Sequence, residues 1–170
     1  MCSSDLWLAE HEAAGACYQA GEQSRELQPW AESGHALAPL ILRGRLDRID
    51  RLADGSLLLI DYKTGSVSSL KDKVARPVED TQLAVYAALM RDAGAPLQAE
   101  YLALDDSSGL VAVSHAGVEH SAALLIEGLE QDLLAMEQGA PLPALGEGRA
   151  CGFCEMRGLC RRDDWSEEAL

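Results

Sequence analysis

The sequence predicts a mixed α/β domain, in which a central sheet is flanked by helices. The chain has 170 residues, 48% hydrophobic and 25% charged, which suits a single domain with a sizeable core. Stretches with helical and strand-like spacing of apolar residues follow one another as helix, three strands, helix, two strands and helix. An Asp-Gly turn between two strand-like runs also indicates a hairpin. This order is typical of a mixed sheet with helices packed on it.

The first half of the chain is predicted to contain one helix and three strands. The helix runs from about Asp5 to Gln23, where small and apolar residues share one face. Strand-like patterns follow at Leu37–Leu42 and Gly44–Leu52, and the apolar run Leu57–Tyr62 comes after the Asp-Gly turn. We therefore expect an antiparallel pair whose second strand is central and buried.

The second half is predicted to contain two helices and two strands. Residues 65–76 are expected to form a loop and a charged connection. Asp80 or Thr81 can cap the helix that follows. The predicted elements are a helix ending at Gly94, strands at Leu97–Leu104 and Leu110–Val113, and an amphipathic helix at Val118–Gln138.

The net charge of −14, from 14 basic and 28 acidic residues, argues against a non-specific nucleic-acid binder. Twelve of the 14 cations nevertheless lie within residues 40–76 and 149–170, which leaves room for a locally positive site. No apolar run approaches the roughly 20 residues of a membrane helix, and no secretion signal is evident near Met1. We therefore expect a cytoplasmic protein without membrane contact.

Acidic residues are predicted to meet across the hairpin. Asp47 lies beside Asp61, and Lys63 shares a face with Asp61 because strand side chains alternate. An aspartate that ends an apolar run is costly unless a partner or a cation matches its charge. Two carboxylates beside an ammonium suit Mg²⁺ or Mn²⁺, which can polarise a phosphodiester and activate water.

Spacing alone leaves a second interpretation open. The charged residues of these strands can form a solvated, salt-bridged face, because an isolated Asp-x-Lys is common in strands. The residues concerned are Asp50, Asp54, Arg45, Arg48 and Arg51. Under this interpretation the stretch has no catalytic role.

Several motifs in a fixed order resemble those of a known family. Gly-Arg-Leu-Asp-Arg-Ile-Asp precedes Asp-Tyr-Lys-Thr-Gly, with thirteen residues between Asp47 and Asp61, and Gln82-Leu83 follows with Tyr86 one turn later. This pattern resembles the RecB-like branch of the PD-(D/E)XK nuclease superfamily, especially the nuclease domains of RecB and AddB. The likeness covers about residues 26–165. It implies a restriction-endonuclease-like fold, with a mixed central sheet flanked by helices.

The resemblance also implies roles for single residues. Asp47, Asp61 and the main-chain carbonyl of Tyr62 would bind the metal, and Lys63 would be the catalytic lysine. Glu26, on the helix expected before the first strand, matches the family's upstream acidic residue. The alternative for Glu26 is an ordinary glutamate on a surface helix.

The same resemblance places further residues against the substrate. Gln82 and Tyr86 lie four positions apart, so they share a helical face, which in the family looks onto the active site and DNA. Their alternative roles are a capping glutamine and a core tyrosine. The arginines Arg43, Arg45 and Arg48 are also expected to contact DNA.

Three cysteines form a cluster near the C-terminus. Cys151, Cys154 and Cys160 lie within ten residues, and thiolates this close favour a metal, with zinc and iron-sulfur both open on spacing. In AddB-like nucleases this triplet joins an upstream cysteine to hold a 4Fe-4S cluster, so the resemblance favours that cluster. Cys2 and Cys17 are the candidates for the fourth ligand, and neither has the family's Tyr-x-x-Cys-Pro context. We therefore expect a chain that begins inside a longer protein, with an iron-sulfur cluster that is absent or incomplete.

The predicted organisation is a nuclease core over residues 1–150, truncated at its N-terminus, and an iron-sulfur tail over 151–170 packed on it. The predicted function is Mg²⁺- or Mn²⁺-dependent exonuclease hydrolysis at linear or single-stranded DNA ends, in recombinational or double-strand-break repair and with a helicase. Two alternatives remain. One is a catalytically idle DNA-end-binding or scaffold module of the same fold, and the other is a zinc-binding interaction module.

Overall fold

A five-stranded mixed sheet, in the order β1-β2-β3-β4-β5, forms the centre of the structure. The computed structural model describes residues 3–76, 80–107, 109–141, 151 and 154–160. Neighbouring strands are antiparallel except β3 and β4, which are parallel. The strands are β1 (Cys17–Leu27), β2 (Leu42–Arg51), β3 (Leu57–Lys63), β4 (Leu97–Asp106) and β5 (Gly109–Ser114).

Helices cover both faces of this sheet. The main core lies between one face and residues of α2, α3 and α4, whereas Trp7 of α1 packs on a smaller cluster formed by Leu58, Ile60 and Leu102 on the other face. The helices are α1 (Ser3–Ala13), α2 (Val67–Val74), α3 (Gln82–Leu89), α4 (Val118–Glu137) and the short α5 (Arg157–Cys160). This is the predicted mixed α/β class, and it is consistent with the restriction-endonuclease-like fold.

The predicted hairpin of β2 and β3 is confirmed. The two strands pair from Arg51↔Leu57 to Arg48↔Ile60, and Gly55 takes a positive φ of 86° in the turn. Asp54 Oδ1 accepts a hydrogen bond of 2.9 Å from the Ser56 amide and stabilises the same turn. β3 lies between β2 and β4, and its first five residues are buried, so the second strand is central as predicted.

The predicted helix over Asp5–Gln23 is wrong in its second half. α1 ends at Ala13, Gly15 adopts a φ of 89°, and Cys17–Leu27 forms the edge strand β1. An edge strand can leave most of its side chains in solvent, and β1 does so, which removes the apolar alternation that identifies a strand. Glu26 accordingly lies on a strand and not on the predicted helix.

Two further expectations are corrected. Leu37–Leu42 is not a strand before Leu42, where β2 begins. Its apolar pattern reflects a turn region in which Leu37 is buried. The predicted loop and charged connection at 65–76 contains α2, whose N-cap Ser66 accepts a hydrogen bond from the Ser69 amide. A helix of eight residues is too short for its apolar spacing to stand out in the sequence.

The connection from β3 to β4 positions the candidate site. Parallel neighbours cannot be joined by a tight turn, so the chain crosses over one face of the sheet, and this crossover contains α2 and α3. The first turn of α3 thereby reaches the carboxyl end of β3, where Gln82 contacts Asp61. Within the described residues, no helix is long and apolar enough to cross a membrane.

Candidate active site

Asp61 lies at the centre of a polar cluster at the end of the buried strand β3. Its side chain is 1% exposed. Oδ1 accepts hydrogen bonds from Gln82 Nε2 at 2.5 Å and from the Tyr86 hydroxyl at 3.1 Å, and Lys63 Nζ lies 2.5 Å from Oδ2. Three of the residues predicted from the sequence therefore surround the fourth.

Gln82 links the carboxylate to the lysine. While its Nε2 donates to Asp61, its Oε1 accepts a hydrogen bond of 2.7 Å from Lys63 Nζ. Both ends of the amide are used, so its orientation is determined by its partners. Gln82 and Tyr86 lie four residues apart in α3 and point to the same site, as their helical spacing predicts.

Asp47 approaches the cluster from β2. Continuing the register beyond Arg48↔Ile60 places Asp47 opposite Asp61. Asp47 Oδ2 accepts a hydrogen bond of 3.2 Å from the Tyr62 main-chain amide, which links the end of β3 to this carboxylate. The structure thus brings the two aspartates of the predicted metal site side by side.

Burial controls the charge states of the cluster. Burial raises the pKa of Asp61, and the nearby Asp47 carboxylate adds to this effect, while Lys63 and the Tyr86 hydroxyl oppose it. Burial also raises the pKa of Tyr86 to about 12, with the two carboxylates contributing. Tyr86 is therefore neutral at physiological pH and donates its proton to Asp61.

The donor atoms fit a hard divalent cation. Asp61 Oδ2 is buried, and although it lies 2.5 Å from Lys63 Nζ, it accepts no hydrogen bond of acceptable geometry. The described residues contain no group of three or more His, Cys, Asp or Glu side chains that could hold a metal. Two carboxylates are nevertheless enough for Mg²⁺, which keeps several waters and takes further oxygens from a substrate phosphate.

The sequence of this cluster agrees with a family comparison. The sequence model of the PD-(D/E)XK nuclease superfamily matches residues 3–161 of the chain. The chain belongs to the PD-(D/E)XK nuclease superfamily. Members of this superfamily are generally metal-dependent phosphodiesterases that typically use Mg²⁺ and act on nucleic acid. A comparison with curated proteins gives no significant match.

The motif in the superfamily's name appears in β3. Asp61-Tyr62-Lys63 has the form of (D/E)XK, and both charged side chains form hydrogen bonds with the Gln82 amide. Asp47 supplies the second carboxylate from the neighbouring strand, where its partner is the Tyr62 amide. The (D/E)XK part of the pattern therefore lies within the cluster that the structure assembles.

Glu26 is not brought to this cluster. It lies on β1 opposite Arg43 of β2, and its Oε1 is 2.9 Å from Arg43 Nε. Both side chains are more than half exposed. Asp47 lies four residues beyond Arg43 on β2, so the backbone positions of Glu26 and Asp47 are about 13 Å apart along the strand. In this structure Glu26 has the surface position given above as its alternative, although on a strand.

The three arginines predicted to contact DNA have different surroundings. Arg43 and Arg45 lie on the exposed part of β2, where they pair with Glu26 and Glu22. Arg48 is only 15% exposed, and its Nε is 2.9 Å from both carboxylate oxygens of Asp50, which is fully buried. Arg48 is therefore tied into the protein rather than presented to a substrate.

Arg48 belongs to a second polar cluster on the α1 side of the sheet. It stands in register with Ile60, which faces α1, and its guanidinium lies over the rings of Trp7 and Tyr18. His11 Nε2 lies 2.9 Å from Asp50 Oδ2 in the same cluster. These contacts hold α1 against the sheet.

The cysteines give no ligand group within the described residues. Cys17 and Cys154 are exposed, and Cys154 Sγ accepts a hydrogen bond of 3.4 Å from the Met156 amide. No three metal-binding side chains converge in this part of the chain. Cys2 and most of the predicted tail over 151–170 lie outside the described residues. The described cysteines are thus not gathered into a ligand group, and the iron-sulfur cluster stays a prediction.

The structure also places three residues next to the site that the sequence did not indicate. They are Lys73 of α2, Asp80 before α3 and Tyr101 of β4, and they form one connected polar group. Tyr101 stands in register with Asp61 on the adjacent strand. No spacing rule links these positions, because only the crossover brings them together.

Proposed function

We propose that the chain is a Mg²⁺-dependent deoxyribonuclease that hydrolyses phosphodiester bonds at linear or single-stranded DNA ends. One observation carries the proposal. The buried Asp61 Oδ2 lacks a well-aligned hydrogen bond, and a lysine ammonium stands beside it. A carboxylate oxygen that can bind a metal, next to the Lys63 ammonium, suits a reaction in which water attacks a phosphodiester.

The metal ligands in this proposal are Asp47, Asp61 and the main-chain carbonyl of Tyr62. Mg²⁺ or Mn²⁺ bound there supplies a Lewis acid that polarises the phosphodiester and lowers the pKa of a bound water. Asp47 accepts a hydrogen bond from the Tyr62 amide, and Asp61 accepts hydrogen bonds from Gln82 and Tyr86. The chain therefore fixes both carboxylates by hydrogen bonds before any substrate arrives.

Lys63 assists the attacking water in this proposal. Its ammonium is a quarter exposed, so it can reach solvent and the substrate while it remains anchored to Gln82 Oε1. From this position it can orient the nucleophile and stabilise the negative charge that develops on the phosphate. Gln82 keeps the lysine and Asp61 in a fixed relation, because the same amide bonds both.

The substrate and biological role extend the proposal. The resemblance to RecB and AddB supports action on DNA ends in recombinational or double-strand-break repair, together with a helicase. Arg43 and Arg45 are available to phosphates, because exposed ion pairs are weak and easily exchanged. With a net charge of −14, the chain is expected to bind DNA weakly and with strong dependence on salt.

Digestion of end-labelled linear DNA with Mg²⁺ tests the proposal. Asp61→Asn keeps the shape of the side chain but weakens the metal site, so its activity should fall by at least about a hundredfold, the effect expected of a lost catalytic electrostatic group. Asp92→Asn, a matched change at an exposed residue, should leave the rate unchanged. A closed circular substrate should resist cleavage.

Two results would contradict the proposal. Equal cleavage by wild type and Asp61→Asn would remove Asp61 from the chemistry. Absence of cleavage by wild type at high concentration, with Mg²⁺ or Mn²⁺, would reject nuclease activity for this chain.

The C-terminal cysteines carry a separate proposal, a 4Fe-4S cluster in a tail over residues 151–170 that packs on the core over residues 1–150. Its support is the Cys151, Cys154 and Cys160 triplet together with the resemblance to AddB. Metal analysis of anaerobically purified protein tests it. Iron with broad visible absorbance would support the cluster, whereas one zinc per chain without that absorbance would favour a zinc site, and neither metal would reject both.

A further inference from the structure

Tyr101 lies beside the candidate catalytic lysine and has no role in the proposal so far. The side chain is 1% exposed, and Lys63 Nζ lies 5.4 Å from the centroid of its ring. Lys73 Nζ lies 5.8 Å from the same centroid. Both distances fall within the roughly 6 Å at which an aromatic face attracts a cation. The ring therefore interacts with two ammonium groups, one of which belongs to the active-site cluster.

The hydroxyl end of the Tyr101 side chain is held by Asp80, which precedes α3, and Asp80 is in turn held by Lys73 of α2. The Tyr101 hydroxyl donates to Asp80 Oδ1, and Lys73 Nζ lies 2.5 Å from Asp80 Oδ2. Although burial alone would raise the pKa of Asp80, the bonds from Lys73 and Tyr101 lower it, so the carboxylate is ionised. Burial raises the pKa of Tyr101, and the Asp80 bond adds to this, so the hydroxyl keeps its proton. The ring thus has a defined position.

Lys63 needs such a support because one of its two polar partners is the proposed metal ligand. Its ammonium lies 2.5 Å from Asp61 Oδ2, the oxygen that is proposed to bind the metal. A cation at this oxygen would repel the ammonium. The contacts that then remain to Lys63 are the Gln82 Oε1 atom and the Tyr101 ring.

We propose that Tyr101 is a positioning residue for Lys63, whose ring face holds the ammonium next to the reacting groups. The Asp80 and Lys73 side chains act on Lys63 indirectly, by fixing this ring. The inference rests on the proposed nuclease function, because it takes Lys63 as the group that assists the attacking water.

Three variants separate positioning from general stability. Tyr101→Leu removes the ring face and should lower kcat about tenfold, the size expected from one lost cation–π contact, while KM for DNA changes less than twofold. Tyr101→Phe keeps the ring face and should retain kcat within about threefold of wild type, since only the anchoring hydroxyl is lost. Val113→Ala truncates the buried cross-strand neighbour of Tyr101 without touching Lys63, so it should lower stability but not kcat.

The position of Lys63 can also be measured without activity. In protein labelled with ¹³C-lysine, the ring current of Tyr101 should move the Lys63 methylene signals next to Nζ upfield. This displacement should persist in Tyr101→Phe and disappear in Tyr101→Leu.

The outcomes that overturn the inference differ from those that overturn the nuclease proposal. Equal kcat values in Tyr101→Leu and Val113→Ala, or unchanged Lys63 signals in Tyr101→Leu, would show that the ring does not position the lysine. If wild type cleaves no DNA, the nuclease function fails, while the Lys63 signals still decide whether the ring holds the ammonium.

Discussion

The Gln82 amide donates a hydrogen bond of 2.5 Å to Asp61 Oδ1, although the two residues lie 21 positions apart in the sequence. The contact joins the first turn of α3 to the end of β3. It exists only because the parallel pairing of β3 and β4 forces the chain to cross the sheet between them.

Gln82→Glu should lower kcat by about ten- to a hundredfold, the value of a lost hydrogen bond to a charged group. The new carboxylate cannot donate to Asp61, and it adds negative charge beside an acid that already resists ionisation. Steady-state digestion of linear DNA measures the effect. The matched change Gln19→Glu, on the exposed surface of β1, should leave kcat unaltered. Similar values for the two variants would exclude a role for the Gln82 amide.

Asp61→Asn should be more stable than wild type at pH 8 without metal. Because the folded pKa of Asp61 is raised, the native state keeps a proton that the unfolded chain has lost. Stability is therefore lost as pH rises from the ordinary value of 3.8 through the folded pKa. In EDTA, urea unfolding should give a higher free energy of unfolding for Asp61→Asn than for wild type at pH 8, and this difference should shrink in acid. A difference that is constant with pH would contradict the predicted linkage.

Tyr86→Phe should weaken Mg²⁺ binding most at mildly acidic pH. The Tyr86 hydroxyl lowers the pKa of Asp61, so its removal raises that pKa further and protonates the ligand more readily. The rise in melting temperature with Mg²⁺ concentration gives the affinity at each pH. In Tyr18→Phe, where the lost hydroxyl is on an exposed side chain, the affinity should match wild type at every pH. A loss of affinity in Tyr86→Phe that does not vary with pH would point to packing instead.

Arg48→Met should destabilise the fold and leave the KM for DNA unchanged. Removing one partner of a buried ion pair typically lowers the free energy of unfolding by about 3–5 kcal/mol, because the other charge stays buried without a partner. In Arg48→Met this remaining charge is Asp50. Arg45 instead forms an exposed ion pair with Glu22. Arg45→Met should therefore change stability little but raise the KM for DNA. Chemical unfolding and initial-rate kinetics distinguish the two. A raised KM in folded Arg48→Met would show that Arg48 contacts DNA.

The positions of several residues in the polar cluster were predictable because these residues lie in strongly patterned elements. Asp61 and Lys63 follow a buried apolar run, Asp47 precedes an Asp-Gly hairpin turn, and Gln82 and Tyr86 share a helical face. Periodicity places Asp47 beside Asp61 and Gln82 beside Tyr86, whereas only the resemblance to RecB-like nucleases indicated that the two pairs share one site. The hairpin and the class of fold were predictable from periodicity as well.

Other parts were not predictable because tertiary contacts decide them. β1 pairs along its whole length with β2 but leaves most of its side chains in solvent, so its sequence lacks the pattern of a strand. The motif suggested DNA contact for Arg48, whereas the fold turns it to Asp50 on the α1 side. Tyr101, Asp80 and Lys73 come from three separate segments and have no shared period.

The crossover also sets the stage of folding at which the polar cluster around Asp61 can assemble. β1, β2 and β3 pair through local antiparallel connections, whereas β4 must return across residues 64–96 before it can pair with β3. Closing this loop lowers the entropy of the chain before the β3–β4 contacts can offset the loss. Non-local parallel pairing is therefore slow. Gln82, Tyr86 and Tyr101 reach Asp61 and Lys63 only when that step is complete. A nascent or partly unfolded chain thus lacks the assembled cluster on which the proposed nuclease activity depends.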